Sequence, residues 1–245
     1  FFRLLVTSAA YRQSAAITPE KLQKDQDNRL ISRGPRFRMD AEMVRDYALA
    51  ASGLLTGEIG GPSVKPYQPE GVWEAVAMIG SNTRDYQRDK GDALYRRSIY
   101  TFWKRAAPPA SMDVFNAPSR ETCTVRRERT NTPLQALVTL NDPQFIEAAR
   151  HLAQRALNDS GTTPEARLDF LARQLTARSF RPEEGQVARS SLDDLLAYYT
   201  DHRDDAKALL SVGESKTDPG LDAPTLAAWT MLTNQLMNLD EVLNK

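Results

Sequence analysis

The 245 residues suit one large domain or two small ones with room for a sizeable core, and 41% hydrophobic with 26% charged residues is ordinary for a globular chain. Net charge is zero; residues 1–150 carry 22 Lys+Arg against 17 Asp+Glu and the remainder 10 against 15, an asymmetry too modest for the strongly basic face that nucleic acid needs. No stretch approaches the roughly 18 apolar residues of a transmembrane segment, the lone Cys123 excludes an internal disulfide and any CxxC metal or haem site, and two histidines, His151 and His202, are too few for a His-rich metal centre.

In chain order, Phe1 to Ser14 reads as the end of an amphipathic helix with Leu5, Val6 and Ala9 on one face. The chain starts without Met inside an apolar run, so it reads as a fragment of a larger protein whose targeting segment would lie upstream. A polar stretch follows to Phe37, turning at Gly34-Pro35. Asp40 caps a helix through Met43, Val44 and Tyr47 that stops at Gly53. Gly57 to Gly71, with Gly60-Gly61-Pro62, Pro66 and Pro69, is a loop. Val72 to Ile79 and the aromatic, β-branched run Leu94 to Lys104 are the best strand candidates and could pair as a small hairpin. Ala107 to Pro118 is loop again. From Thr130 the chain is helical. Thr132-Pro133, Asp142-Pro143 and Thr163-Pro164 each set a capping residue before a Pro suited to the first turn, whereas Arg181-Pro182 offers only the Pro. The helices expected are Pro133–Leu140, Pro143–Asn158, Pro164–Ala177, Pro182–Tyr199, a short one ending at Gly213, and a last one from Pro224 through Trp229 and Leu236. The fold class is mainly α, a helical domain with a small β-hairpin and long Pro/Gly-rich loops. We read it as a single domain fragment with an Arg-rich helical and hairpin part over 1–160 and a helical part over 161–245.

Three stretches carry a family signature. They are Leu94-Tyr95-Arg96-Arg97-Ser98-Ile99-Tyr100-Thr101-Phe102-Trp103-Lys104-Arg105, then Arg120-Glu121-Thr122-Cys123-Thr124-Val125-Arg126-Arg127-Glu128-Arg129-Thr130-Asn131-Thr132-Pro133-Leu134-Gln135-Ala136-Leu137, then Leu140-Asn141-Asp142-Pro143-Gln144-Phe145. Together with the opening Arg3-Leu4-Leu5-Val6-Thr7-Ser8-Ala9-Ala10-Tyr11-Arg12 and the closing Ala227-Ala228-Trp229-Thr230 and Leu239-Asp240-Glu241, the chain resembles the C-terminal domain of unknown function, family 1553, of large planctomycete cytochrome-associated proteins. The resemblance implies an exported, multidomain parent in the periplasm or cell envelope, with a haem-binding cytochrome c-like segment elsewhere. It attaches no reaction and no catalytic residues to this domain. The CxxCH haem motif is absent, so no cofactor is expected in this chain.

Arginine outnumbers lysine 24 to 8, and guanidinium groups grip carboxylates, phosphates and sugar hydroxyls. The candidate ligand-binding set is therefore Arg97, Arg120, Arg126, Arg127, Arg129, Asn131, Asn141 and Trp103. The competing reading is an internal network in which these arginines pair with Asp and Glu and pin an irregular loop onto helices. Arg96 and Arg97 point to opposite faces if the run is a strand. Trp73, Tyr86, Tyr95, Tyr100 and Phe102 read as core. Cys123 reads as buried and inert, although arginines nearby would favour its thiolate. His151 reads as a surface or interhelix contact and Asp142 as a helix cap. No phosphate loop, GxSxG elbow or HExxH is present. The leading expectation is a non-catalytic module that assembles with other domains of its parent. A carbohydrate-active or carbohydrate-binding domain, or one taking another anionic ligand, is the alternative; a docking surface for a redox partner is the third reading.

Overall fold

The computed structural model describes residues 1–244, and about 52% of the chain is helical. The fold is mainly α, with eleven α-helices among the described residues. The chain divides into two units: residues 1–39 with Asn244, and Asp40–Leu243.

In the first unit α1 spans Phe2–Thr7 and α2 Pro19–Lys24. The expected helix to Ser14 stops early because Thr7 and Ser8 turn their hydroxyls onto Arg3 O at 2.7 Å and Leu5 O at 2.8 Å, and Ser8 leaves in extended conformation. Thr18 caps α2 by accepting from Lys21 N–H. The Asp25 carboxylate then gathers the N–H groups of Arg29 and Leu30, and Arg33 donates back to the carbonyls of Asp25 and Gln26. These bonds close a polar loop without a strand.

In the second unit α3 (Ala41–Ser52) ends at Gly53, whose φ of +84° makes the left-handed cap the sequence signals. After α4 (Ala110–Val114) come α5 (Pro133–Asn141), α6 (Pro143–Asp159), α7 (Pro164–Thr176), α8 (Pro182–Asp201), α9 (Arg203–Leu210), α10 (Ala223–Met237) and α11 (Asp240–Leu243). Asp142 and Thr163 cap their helices as read, accepting from Gln144 N–H and Ala166 N–H. Where Arg181 supplies no cap, Glu184 reaches back to its N–H at 2.8 Å. The core is centred on α6 against α10. α3, α5 and α7 pack on α6, and α8 and α9 on α10. Ala148, Ala149, Leu152, Ala153 and Ala156 of α6, and Leu226, Trp229 and Leu232 of α10, are buried.

The strand candidates do not pair with each other. Val72–Ile79 winds a 3-10 turn at Glu74–Val76 that buries Trp73 edge-on to Tyr86, with ring centroids 4.8 Å apart. Leu94–Lys104 breaks into 3-10 turns at Gly91–Tyr95 and Ser98–Tyr100. Single parallel bridges, Thr56 to Arg96 and Val64 to Thr101, tie it to the preceding loop. That loop carries Pro62, Pro66 and Pro69, which lack the N–H groups a ladder needs. The aromatic content that mimicked a strand instead fills a core. Leu94 and Tyr95 pack with Leu49, Leu54, Leu55 and Tyr67.

Candidate functional site

Helix α5 is amphipathic in the wrong sense. Its polar Gln135 and Thr139 are buried, at 1% and 4% exposure, while Leu134 and Leu137 stand 62% and 54% exposed. The buried polar side is fully used. Gln135 Nε2 donates to Val114 O at 3.2 Å and Thr130 Oγ1 at 3.1 Å, Thr139 Oγ1 meets Asn238 Oδ1 at 2.9 Å, and Asn234 donates to Thr139 O at 3.0 Å. Those bonds lock α5 to α10 and force the outward stripe Leu134, Leu137, Val138 and Asn141, spaced three and four apart, to face open space. The stripe is one wall of a cleft of about 1240 Å³. Tyr67, Glu70, Glu74, Tyr86 and Arg88 from the long loop line it as well, with Val114 of α4 and Asp142 and Pro143 at the α5–α6 junction.

Most hydrogen-bond donors of this cleft are already engaged. Tyr67 gives its hydroxyl to Glu147 Oε2 at 2.9 Å and Tyr86 to Pro66 O at 2.6 Å, and burial raises both phenol pKa values well above the usual range. Asn141 Nδ2 donates to Leu137 O at 2.8 Å. The Arg88 guanidinium lies 4.8 Å over the Tyr67 ring and 3.6 Å from Glu214. Acceptors remain. One Glu74 carboxylate oxygen is covered and has no partner within the protein. Burial raises the Asp142 carboxyl, against the Gln144 N–H and Arg45 that pull it down.

Behind the cleft sits the polar centre of the unit. Glu147 of α6, fully buried, accepts from Tyr67 and Tyr95 hydroxyls, each at 2.9 Å, and from Glu214 N–H at 2.7 Å and Ser215 N–H at 2.5 Å. Arg150, one turn on, donates to Leu210, Val212 and Ser215 carbonyls at 2.5–2.6 Å. Arg45 of α3 is equally buried. It donates to Gln144 Oε1 at 2.5 Å and to the carbonyls of Arg96 and Leu94 at 2.7 Å, and burial lowers its pKa to about 10, leaving it charged at neutral pH. Arg96 stacks 3.9 Å over the Tyr100 ring and donates to Pro62 O and Gly60 O. Glu147, Arg45 and Arg150 escaped the sequence reading because a Glu–Arg pair at i, i+3 looks the same on an exposed face. The alanines surrounding Glu147 and Arg150 on α6 were the available signal.

The residues singled out from sequence are spread over the surface of this unit. Asn141 alone lines the cleft. Arg127 is bidentate on Glu42, at 2.5 and 3.1 Å, and Arg129 lies 3.7 Å from Asp40. For Glu42, burial works upward, but the Arg127 bonds and charge outweigh it and hold the carboxyl low. Arg97 meets Asp46 at 3.4 Å from an exposed position. Arg120, at a φ of +65°, lies 4.4 Å over the face of Trp103, whose indole N–H donates to Ser119 O. Arg126 and Asn131 are exposed. Cys123, expected buried, is exposed, on a stretch whose residues 119–126 are all exposed and whose Val125 is fully in solvent. His151 makes its interhelix contact, Nδ1 to Ser52 O at 2.7 Å. Among the described residues no group of three His, Cys, Asp or Glu side chains is placed to hold a metal ion, and no helix is long and apolar enough to cross a membrane.

No curated protein and no solved structure matches the chain. Residues 1–192 match the family described as PSD1, protein of unknown function (DUF1553); the closing residues 227–241 that also carry the resemblance lie beyond that stretch. The signature segments around Tyr95, Arg127 and Asp142, which build the loop, the arginine pairs and the α5–α6 junction, all fall inside it, and the chain belongs to the DUF1553 family.

Proposed function

We propose that this chain is a non-catalytic binding module of a larger exported protein of the cell envelope, a cytochrome-associated multidomain parent, and that it holds another part of that parent in the α5 cleft. The inverted helix carries this reading. A helix that spends its polar face inside and leaves Leu134 and Leu137 outside gives up about 1 kcal/mol for each exposed leucine. That cost is recovered when a partner covers the stripe. The arginines support the same view. Of the candidate arginines, Arg120 stacks on Trp103 and Arg127 pairs with Glu42, and neither these nor the exposed Arg126 lines the cleft.

A photo-crosslinking residue placed at position 137 in the parent protein tests the proposal. The expected product is an internal crosslink from the cleft to another domain of the same chain, lost on Leu134→Asp. Crosslinks confined to solvent or to unrelated proteins would overturn it. Since Leu137 is exposed, neither change should disturb the fold.

A further inference from the structure

We infer that the occupant of the α5 cleft is a basic peptide segment, with lysine or arginine at the acidic end and apolar side chains along the leucine stripe; the inference rests on the cleft being the binding surface. The chemistry on the two walls differs. Along α5 the lining is Leu134, Leu137 and Val138, without charge. Across from it stand Glu70 and Glu74, with Asp142 at the helix junction. The one base on the lining, Arg88, is already opposed by Glu214 at 3.6 Å. Negative charge therefore exceeds positive charge on the walls.

Several polar groups on the lining are already engaged within the protein. The hydroxyls of Tyr67 and Tyr86 donate into the protein, and one N–H of the Asn141 amide goes back to Leu137 O. Gln68 is partly used, its Nε2 on Pro108 O and its Oε1 accepting from Ala110 N–H. The Glu70 carboxylate stands exposed, and one Glu74 oxygen is covered with no partner in the protein. A negatively charged ligand would face these carboxylates with Arg88, opposed by Glu214, as the one base on the lining. An ammonium or guanidinium brings only donors and a positive charge, and its aliphatic stem suits the tyrosine and leucine surfaces. Apolar neighbours in the same segment then reach the stripe, since side chains of an extended peptide fall on alternate faces.

The test uses the full chain and a short fluorescein-labelled peptide of alternating lysine and leucine, followed by anisotropy at low salt. A peptide with glutamine in place of lysine should bind about tenfold more weakly. Glu74→Gln should lower the affinity for the lysine peptide about tenfold and leave the glutamine peptide unchanged. Because Glu74 is partly covered, the exposed Glu70→Gln serves as the second variant and should act in the same direction. Equal binding of the two peptides, or indifference to both glutamates, would overturn the inference. So would concentration-dependent dimerisation abolished by Leu137→Asp, which would make a second copy of the chain the occupant. If the crosslink from position 137 in the parent lands on a segment without Lys or Arg, the binding reading survives and the inference about charge fails.

Discussion

A single carboxylate shows how tightly this molecule is specified. Glu147 is ringed by four donors, two phenols and two backbone amides, and faces Gly213. A Cβ on Gly213 would fall 2.5 Å from Glu147 Cδ and 2.8 Å from its Cβ, at a φ of +87° that L side chains avoid. Gly213→Ala is expected to cost about 3 kcal/mol or more from strain and overlap together, measured by urea denaturation. Glu147→Gln keeps the shape but swaps one acceptor for an amide that points N–H at N–H, and it leaves Arg150 buried without its counter-charge. A loss of about 3–5 kcal/mol follows. A change smaller than 1 kcal/mol would mean that the ring of donors contributes little.

At the scale of elements, the arrangement of Arg178 between helices gives a pH dependence with a definite sign. Its guanidinium bridges Glu184 of α8, at 2.7 and 2.9 Å, and Glu241 of α11, at 2.6 and 2.9 Å. Arg178 and the Arg181 N–H hold Glu184 down to about 2 from an ordinary 4.5. A carboxylate depressed in the folded state adds stability above its unfolded pKa. That contribution fades as pH falls from about 4.5 through 2. Arg178→Ala should therefore lower the melting temperature at pH 7, by an amount equivalent to about 1 kcal/mol because the groups are partly exposed. The gap from the unaltered chain should close near pH 2. A gap that widens in acid would contradict the assignment.

The helices were legible in the sequence because their start signals are local. Pro133, Pro143, Pro164 and Pro182 all open helices, with Asp142 and Thr163 capping theirs by side chain, while Thr132 makes no cap bond and Arg181 precedes Pro182. The Leu94–Lys104 run misled for the opposite reason. Whether an aromatic, β-branched stretch extends depends on a partner strand, and its neighbour is broken by prolines. The cleft was mostly hidden as well. Only Asn141 was foreseen, because the reading weighed charge. The inversion of α5 becomes visible only when Gln135 finds Val114, 21 residues back, besides nearby Thr130, and Thr139 finds Asn238, 99 residues on.

Across the unit from Asp40 to Leu243, the polar centre joins two very different materials. The loop side carries Trp73, 2% exposed among short turns; the helical side carries Trp229, 2% exposed on α10. Tyr67 and Tyr95 bind the first to Glu147 of the second. Tryptophan fluorescence and far-UV circular dichroism should accordingly report one coincident transition in denaturant. In Tyr67→Phe/Tyr95→Phe, which leaves two of the four donors, fluorescence should begin to change at lower denaturant than ellipticity. Coincident curves in that variant would show that the loop side is tied down by other bonds.

The same centre also separates the recurring stretch of sequence from the smallest piece that can stand alone. The family match ends at residue 192, inside α8. Leu210, Val212, Glu214 and Ser215, which satisfy Arg150 and Glu147, lie past that point, as does the whole of α10. A polypeptide ended at Leu192 keeps the Tyr67 and Tyr95 bonds to Glu147 but loses every backbone partner of Glu147 and Arg150 past that point, so it should emerge from the ribosome insoluble or molten. During synthesis the nascent chain must hold that charge pair unsettled until the strap at 213–215 clears the exit tunnel. Anyone excising this domain should therefore cut by its buried charges and not by where its sequence family stops.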